Sequence, residues 1–150
     1  MSVTSKRPAE VVGYIAGEAE AIREELQAAA DEYWEEVYHV RGGEEYQQWY
    51  RHGCRVVAGV SGGNLIWFRR DWVGKAGNRK PRDTSIPIGK GPRYDMRRFA
   101  KVTPAERAAI EQTEAKVEPL RRRAKALREM LRQLDAYLLL TYGREELKLG

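Results

Sequence analysis

The residues best suited to bind a ligand are cations in a segment that also contains glycine. Residues 75–82 carry four positive charges and no acidic residue in eight positions. Gly77 lets the backbone approach a ligand closely, and arginine side chains bind phosphate oxygens in a bidentate way. This segment therefore predicts contact with an anionic partner, and phosphate is the best candidate.

Further cations, some beside aromatic rings, precede and follow this segment. Cations next to rings suit the backbone of a duplex or the stacked bases of a single strand. We predict twelve nucleic-acid contacts: Arg55, Arg69, Arg70, Trp72, Lys75, Arg79, Lys80, Arg82, Lys90, Arg93, Arg97 and Arg98. The alternative is a solvated charged surface over an aromatic core, because charge runs usually serve solvation. We assign most rings, including at least one of Trp67 and Phe68, to the core and the cations to the surface.

The distribution of charge along the chain supports an anionic partner. Residues 1–40 hold three basic and nine acidic residues, whereas residues 41–101 hold fourteen basic and five acidic ones. The net charge of +5 therefore hides a strongly cationic middle block. Clustered lysine and arginine release counterions when they meet phosphate. A second patch, Arg121-Arg122-Arg123, has acidic neighbours and is predicted to pair with Glu114, Glu118, Glu129 or the acidic first helix.

Candidate catalytic residues are few. His52 and Cys54 lie two positions apart, which places both on one face of a strand as a base and a nucleophile. No third group is recognisable to orient them, and a single cysteine is more often a small core residue. Two histidines and one cysteine do not supply a spaced set of metal ligands. We predict no catalytic residue, no metal and no cofactor.

Two amphipathic helices are predicted on either side of the cationic block. In the arm 8–41, apolar residues recur at three- and four-residue steps, with Val37 on the flank of the stripe: Val12, Ile15, Ala19, Ile22, Leu26, Ala29, Tyr33 and Val40. In the arm 103–142, the spacing is a heptad: Ile110, Thr113, Val117, Leu120, Ala124, Leu127, Leu131, Leu134 and Leu138. Thr103 to Glu106 form a capping box with Pro104 at the first helical position. Pro119 predicts a kink, and Gly143 predicts a left-handed cap after Tyr142.

The cationic block between the helices has strand character. Residues 54–60 and 65–73 are rich in β-branched and aromatic side chains, and Ser61 to Asn64 form a turn signal. A third strand is predicted at residues 84–88, and Pro87 restricts it to a sheet edge.

These elements predict an α+β fold in one domain, residues 1–150. Two long antiparallel helices form a coiled-coil-like hairpin and flank a basic β-hairpin or three-stranded module, 42–102, at one end of the rod. Residues 143–150 form a tail. A two-helix hairpin leaves each seam half covered, so a homodimer through the seams is an alternative arrangement.

The chain has no predicted export or membrane segment. No apolar run follows Lys6 and Arg7, and the apolar residues 137–140 are too few to span a bilayer. The single cysteine excludes an intrachain disulfide and favours a reducing cytoplasm.

The order of motifs from Tyr33 to Tyr137 resembles the MobI family of auxiliary conjugative-transfer proteins from mobile elements. The resemblance lies in residues 64–72 (NLIWFRRDW), the basic residues 78–82 (NRKPR), residues 88–94 (IGKGPRY) and a charged helix that ends in residues 131–137 (LRQLDAY). It implies a role in mobilisation from an origin of transfer, alongside a separate relaxase that nicks the DNA. It carries no catalytic residues over to this chain.

The leading hypothesis is therefore a non-enzymatic accessory protein that binds duplex or single-stranded DNA during conjugative transfer. A relaxase or another protein is a further candidate partner. The rival hypothesis is a protein–protein adaptor or inhibitor that docks a larger nucleoprotein machine. Catalysis through Cys54 is a distant third.

Overall fold

The chain folds as an α+β protein with two long helices and one three-stranded sheet. A computed structural model describes residues 3–43 and 49–149, with side chains as far as Gly143. The elements in chain order are a short 3-10 helix at Val3–Lys6, α1 at Ala9–Gly43, β1 at His52–Val57, β2 at Asn64–Val73, β3 at Lys80–Ser85, a short 3-10 helix at Met96–Arg98 and α2 at Pro104–Leu149. The strands form one antiparallel sheet in the order β1-β2-β3. The predicted fold class is confirmed at this level.

The two helices pack through the apolar residues that the sequence spacing selects. Eight of the nine predicted seam residues of α2 are buried, and Leu134 is half-buried. In α1 the prediction is wrong at one position, because Val12 is 45% exposed while its neighbour Val11 packs against the core. A coiled-coil geometry for this pair stays a prediction.

Ion pairs between the helices define their relative direction. Glu32 of α1 pairs with Lys116 of α2, and Glu25 pairs with Arg123 at 2.7 Å. Partners on α1 thus move towards its N-terminus as partners on α2 move towards its C-terminus, so the helices run antiparallel. Each pair is exposed and contributes little to stability, about 0–1 kcal/mol.

The sheet packs along the side of the helix pair. Trp34 of α1 donates its indole N–H to the Cys54 carbonyl at 2.9 Å, and Ile22, more than three turns earlier, lies against Gly62 in the β1–β2 turn. The prediction that the module sits at one end of the rod is therefore wrong. The sheet packs on the side of the helices because the inner face of β2 is apolar. Leu65 and Trp67 of this face are fully buried, and an apolar sheet face needs a helix layer over it.

The third strand begins earlier than predicted. β3 comprises Lys80–Ser85, so part of the predicted basic loop is strand, and Pro87 lies outside the sheet. Pro81 lies opposite Trp72 on this edge strand, where a residue without an N–H is tolerated. The first hairpin is confirmed in type, with β1 starting two residues before the predicted position.

Helix α2 does not end at Tyr142. It continues through Gly143 to Leu149, so the predicted left-handed cap is wrong, as is most of the predicted tail; residue 150 lies outside the described residues. One glycine inside a helix costs about 1 kcal/mol, which is too little to stop a helix of this length. Pro119 lies on an exposed face within the continuous helix, and its kink stays a prediction.

A buried ion pair joins α2 to the sheet. The Glu114 carboxylate accepts from both Nη atoms of Arg121, at 2.8 and 2.9 Å, and from the indole N–H of Trp67 at 3.0 Å. Arg121 also donates to the Asn64 side chain and to the carbonyls of Leu65 and Pro92. All five guanidinium N–H groups therefore have an acceptor, which is the condition under which a buried charge is tolerated.

Removal of one charge from this pair should destabilise the fold strongly. We expect Glu114→Gln to lower the free energy of unfolding by about 3–5 kcal/mol, because it leaves a buried guanidinium without its carboxylate. Urea denaturation followed by circular dichroism measures the change. Glu118→Gln is the matched control, since Glu118 pairs with Arg122 on the surface, and it should change stability by less than about 1 kcal/mol. Equal effects of the two substitutions would contradict this account.

Candidate nucleic-acid interface

Strands β2 and β3 continue beyond the core as an exposed two-stranded ribbon. Burial along β2 ends at Phe68, and every residue of β3 is exposed. The paired residues beyond that point run from Arg69 opposite Thr84 to Val73 opposite Lys80. Five residues at about 3.3 Å each give a ribbon roughly 16 Å long. We call residues 69–84 the β ribbon.

The β ribbon carries seven of the twelve predicted contact residues: Arg69 at its base, followed by Arg70, Trp72, Lys75, Arg79, Lys80 and Arg82. Among the described residues, no carboxylate forms an ion pair with Lys75, Arg79, Lys80 or Arg82. Gly74 and Gly77 adopt positive φ angles at the tip, which glycine tolerates without strain. The ribbon thus presents cations that no carboxylate in the described part of the chain engages.

Arg70 differs from the other ribbon cations because it is already engaged. Its guanidinium forms two hydrogen bonds to Asp83 on the neighbouring strand, at 2.8 and 3.0 Å. This pairing lowers the pKa of the Asp83 carboxyl below its ordinary value. Arg70 also lies over the Phe68 ring at 5.5 Å. Its first role is therefore to join β2 to β3 and to cover Phe68.

A concave site lies where the β ribbon meets the end of α1. We call it the arginine cleft. It has a volume of about 210 Å³. Its lining residues are Arg41, Trp49, Tyr50, Arg51, Arg70, Asp71, Trp72 and Arg79. Asp71 is the single carboxylate of that set, and its side chain accepts from Arg69 at 3.0 Å. The cleft therefore combines four guanidinium groups with three aromatic rings.

The remaining predicted residues do not share this surface. Arg55 is exposed on β1. Arg98 lines a separate cavity of about 330 Å³ beside His52, together with Arg69 at the base of the ribbon. Lys90 lines a third, of about 380 Å³, against α2. Like Arg69 and Arg70, two more of the twelve pair with acidic residues: Arg93 with Glu118 at 3.8 Å, and Arg97 with Asp95 at 2.9 Å. The twelve residues thus lie on several surfaces, and their contact with nucleic acid stays a prediction.

The basic triplet on α2 has the structural role predicted for it. Arg121 pairs with Glu114, Arg122 with Glu118, and Arg123 with Glu25 of α1. Glu114, Glu118 and the acidic first helix are among the predicted partners, whereas Glu129, the third predicted neighbour, pairs with Arg132.

Several cations of these cavities were missed by the sequence reasoning. Lys125 and Arg128 line the same cavity as Lys90. Their spacing of four and seven residues after Arg121 places them on one helix face, which is a signal that the sequence contained. Arg41 and Arg51 had no comparable signal, because only tertiary packing brings the end of α1 beside β2.

Cys54 and His52 lie in the core. Each is 2% exposed, and burial raises the pKa of the Cys54 thiol to about 12. His52 Nδ1 lies 3.5 Å from the Glu106 carboxylate, which also accepts from the Arg51 backbone N–H at 2.6 Å. Glu106 therefore anchors the start of β1, while Thr103 caps α2 through the Glu106 N–H. A thiol so deeply buried and protonated is a poor nucleophile.

No group of three metal-ligating side chains occurs among the described residues. Neither α1 nor α2 contains, in that part of the chain, an apolar stretch long enough to cross a bilayer.

The fold and the site define a small α+β protein that presents a cationic ribbon and an arginine-lined cleft. A family model described as MobI protein matches residues 22–135, which is more than half of the chain. The chain therefore belongs to the MobI family, and this membership implies an accessory role related to conjugative mobilisation. The resemblance predicted from the sequence is confirmed. No curated protein and no solved structure matches the chain significantly.

The buried thiol gives a direct test of the core position of Cys54. At pH 8 we expect the folded protein to react with a thiol reagent far more slowly than the urea-unfolded chain, because a pKa of about 12 lowers the thiolate fraction roughly a thousandfold. Absorbance of the released chromophore measures both rates, and a single cysteine makes the readout unambiguous. Similar rates in both states would show that Cys54 is accessible.

Proposed function

We propose that the protein is a non-enzymatic DNA-binding accessory in conjugative transfer and that the β ribbon is its main DNA contact. The observation that carries this proposal is the projection of the ribbon from the core with cations that no described carboxylate engages. The family supports a mobilisation role, and the ribbon supports DNA as the partner. Action on DNA in the donor cell is consistent with the predicted cytoplasmic location.

The dimensions of the ribbon suit a duplex. A two-stranded antiparallel ribbon fits into the major groove of B-DNA, which is about 12 Å wide. The glycines at the tip let the backbone approach phosphates, and the exposed Lys75 lies between them, while Arg79 follows them and lines the cleft. Each phosphate that these cations neutralise releases condensed counterions, so binding by this surface is strongly salt-dependent.

Removal of the ribbon cations should weaken DNA binding. We expect the quadruple variant Lys75→Ala, Arg79→Ala, Lys80→Ala and Arg82→Ala to lower duplex affinity by about tenfold or more, because each cation that meets a phosphate adds to the affinity. The slope of log affinity against log salt should become shallower by about 0.9 for every phosphate that the variant no longer neutralises. Fluorescence anisotropy across a salt series measures both quantities.

A control variant removes four charges elsewhere. Arg107, Lys116 and Arg132 are exposed cations of the helices, and Arg23 is a half-buried one. Their replacement by alanine gives the same change in net charge. This control should keep most of the affinity and the salt slope. An equal decrease in affinity in both variants would show that only net charge matters. Unchanged affinity of the ribbon variant would contradict the proposed contact.

A protein partner is the second candidate, favoured by an apolar groove beyond the sheet. The groove has a volume of about 610 Å³ and lies between Val11 and Ile15 of α1 and Met130, Leu131 and Leu134 of α2. Met130 is 50% exposed. Exposed apolar surface of this kind is typical of protein contacts, with a relaxase or a second copy of the chain as the partner.

This groove has its own test. We expect a protein that co-purifies from cells carrying the mobile element to remain bound after nuclease digestion and to be released by Met130→Lys, because a charge in the groove opposes apolar contact. Mass spectrometry and immunoblotting of the eluate measure retention. Release by nuclease alone would show that DNA mediates the association, and retention by Met130→Lys would exclude the groove. Lys125→Ala, outside the groove, is the control.

A further inference from the structure

The arginine cleft differs in shape from a surface that contacts a duplex backbone. A duplex presents its phosphates on a convex outer surface, which an exposed ribbon can follow. The cleft is concave, and its volume of about 210 Å³ lies below the roughly 300 Å³ that begins the usual range of pockets for drug-sized ligands. Its size suits one small flat group.

The walls of the cleft supply both parts of a nucleotide site. Trp72 lies at one wall, is 49% exposed and has a flat face on which a base can stack. Arg51 and Arg79 lie in the same lining and are exposed. Guanidinium groups in that position bind phosphate oxygens in a bidentate way.

The backbone that carries these side chains is held firmly. The Arg51 N–H donates to the Glu106 carboxylate at 2.6 Å, and the Arg51 carbonyl accepts from the Arg70 N–H at 2.9 Å. Trp72 is held in the ladder between β2 and β3, opposite Pro81. A rigid scaffold lowers the entropic cost of binding, so Arg51 and Trp72 are held in place before a ligand binds.

Arg41 supplies an independent indication that the ligand is anionic. Its guanidinium stacks over the rings of Tyr38 and Trp49, at 5.9 and 5.7 Å. Its Nε is buried and has no hydrogen-bond partner among the described residues. A buried cationic donor is costly unless it is paired, and an anion in the cleft would lower that cost.

We propose that the arginine cleft binds one unpaired nucleotide of DNA, with the base on Trp72 and the phosphate between Arg51 and Arg79. This inference rests on the proposed function and adds a strand preference to it. The β ribbon would contact paired DNA while the cleft at its base takes a nucleotide that has left the duplex. The protein would then favour DNA in which a duplex adjoins unpaired bases.

Two labelled DNAs of the same sequence test this proposal: a continuous duplex and the same duplex with a short unpaired bubble. We expect the unaltered protein to bind the bubble more tightly. Trp72→Ala should lower affinity for the bubble by about tenfold or more, because it removes one base–aromatic stack. The same substitution should change duplex affinity by less than about twofold. Trp72→Phe should restore most of the bubble affinity, since its ring also stacks.

Matched measurements separate the cleft from the ribbon. Lys75→Ala, at the ribbon tip and outside the cleft, should lower affinity for both DNAs by the same factor. Quenching of tryptophan emission by an unpaired oligonucleotide should be strong in the unaltered protein and clearly weaker in Trp72→Phe, because the stacked indole is removed while Trp49 remains in the cleft. Circular dichroism verifies that each variant is folded.

The outcomes distinguish the two proposals. Equal effects of Trp72→Ala on both DNAs, no effect on either, or quenching that is unchanged in Trp72→Phe would contradict the proposed nucleotide site and leave the DNA-binding function standing. Failure of the unaltered protein to bind either DNA, even at low salt, would overturn the proposed function and this inference with it.

Discussion

The rest of the structure depends on one buried carboxylate. Glu114 binds Arg121 of its own helix, the Trp67 indole of β2 and, at 2.7 Å, the backbone N–H of Tyr94. Through these contacts a single side chain fixes the position of the sheet along α2 and the path of the chain that follows β3. Because a buried charge must be fully paired, few other positions of the sheet would satisfy this group. The position of the β ribbon relative to the helices follows from that constraint.

The core and the exposed ribbon divide the aromatic residues between them. Trp67 and Phe68 are both buried, at 0% and 8% exposure, whereas Trp72 remains half exposed four residues after Phe68. The strand is therefore anchored at one end by apolar packing and free at the other to meet a partner. Buried and exposed residues thus occupy different halves of β2, so a substitution in the ribbon can leave the core packing intact.

The cations are likewise of two kinds. Arg121 and Arg123 have carboxylate partners that belong to the fold, and Arg70 is engaged by Asp83. Lys75 and Arg79 have no such partner among the described residues, although they carry the same charge. A count of basic residues cannot separate these groups, because the difference lies in which acidic side chain the fold brings near. Spatial pairing, not charge density, therefore selects the candidate contacts.

The amino-acid sequence by itself determined the elements whose signals are local or periodic. The heptad from Ile110 to Leu138, the Thr103 cap and the β1–β2 hairpin each depend on one helix face, one turn or neighbouring strands. The family followed from the order of the segments 64–72, 78–82, 88–94 and 131–137. Only the tertiary structure decided that the sheet lies along the helices, that β3 begins at Lys80 and that Arg41 and Arg51 meet Trp72 in one cleft. These features depend on contacts between residues far apart in the chain, and such contacts leave no periodic trace in the sequence.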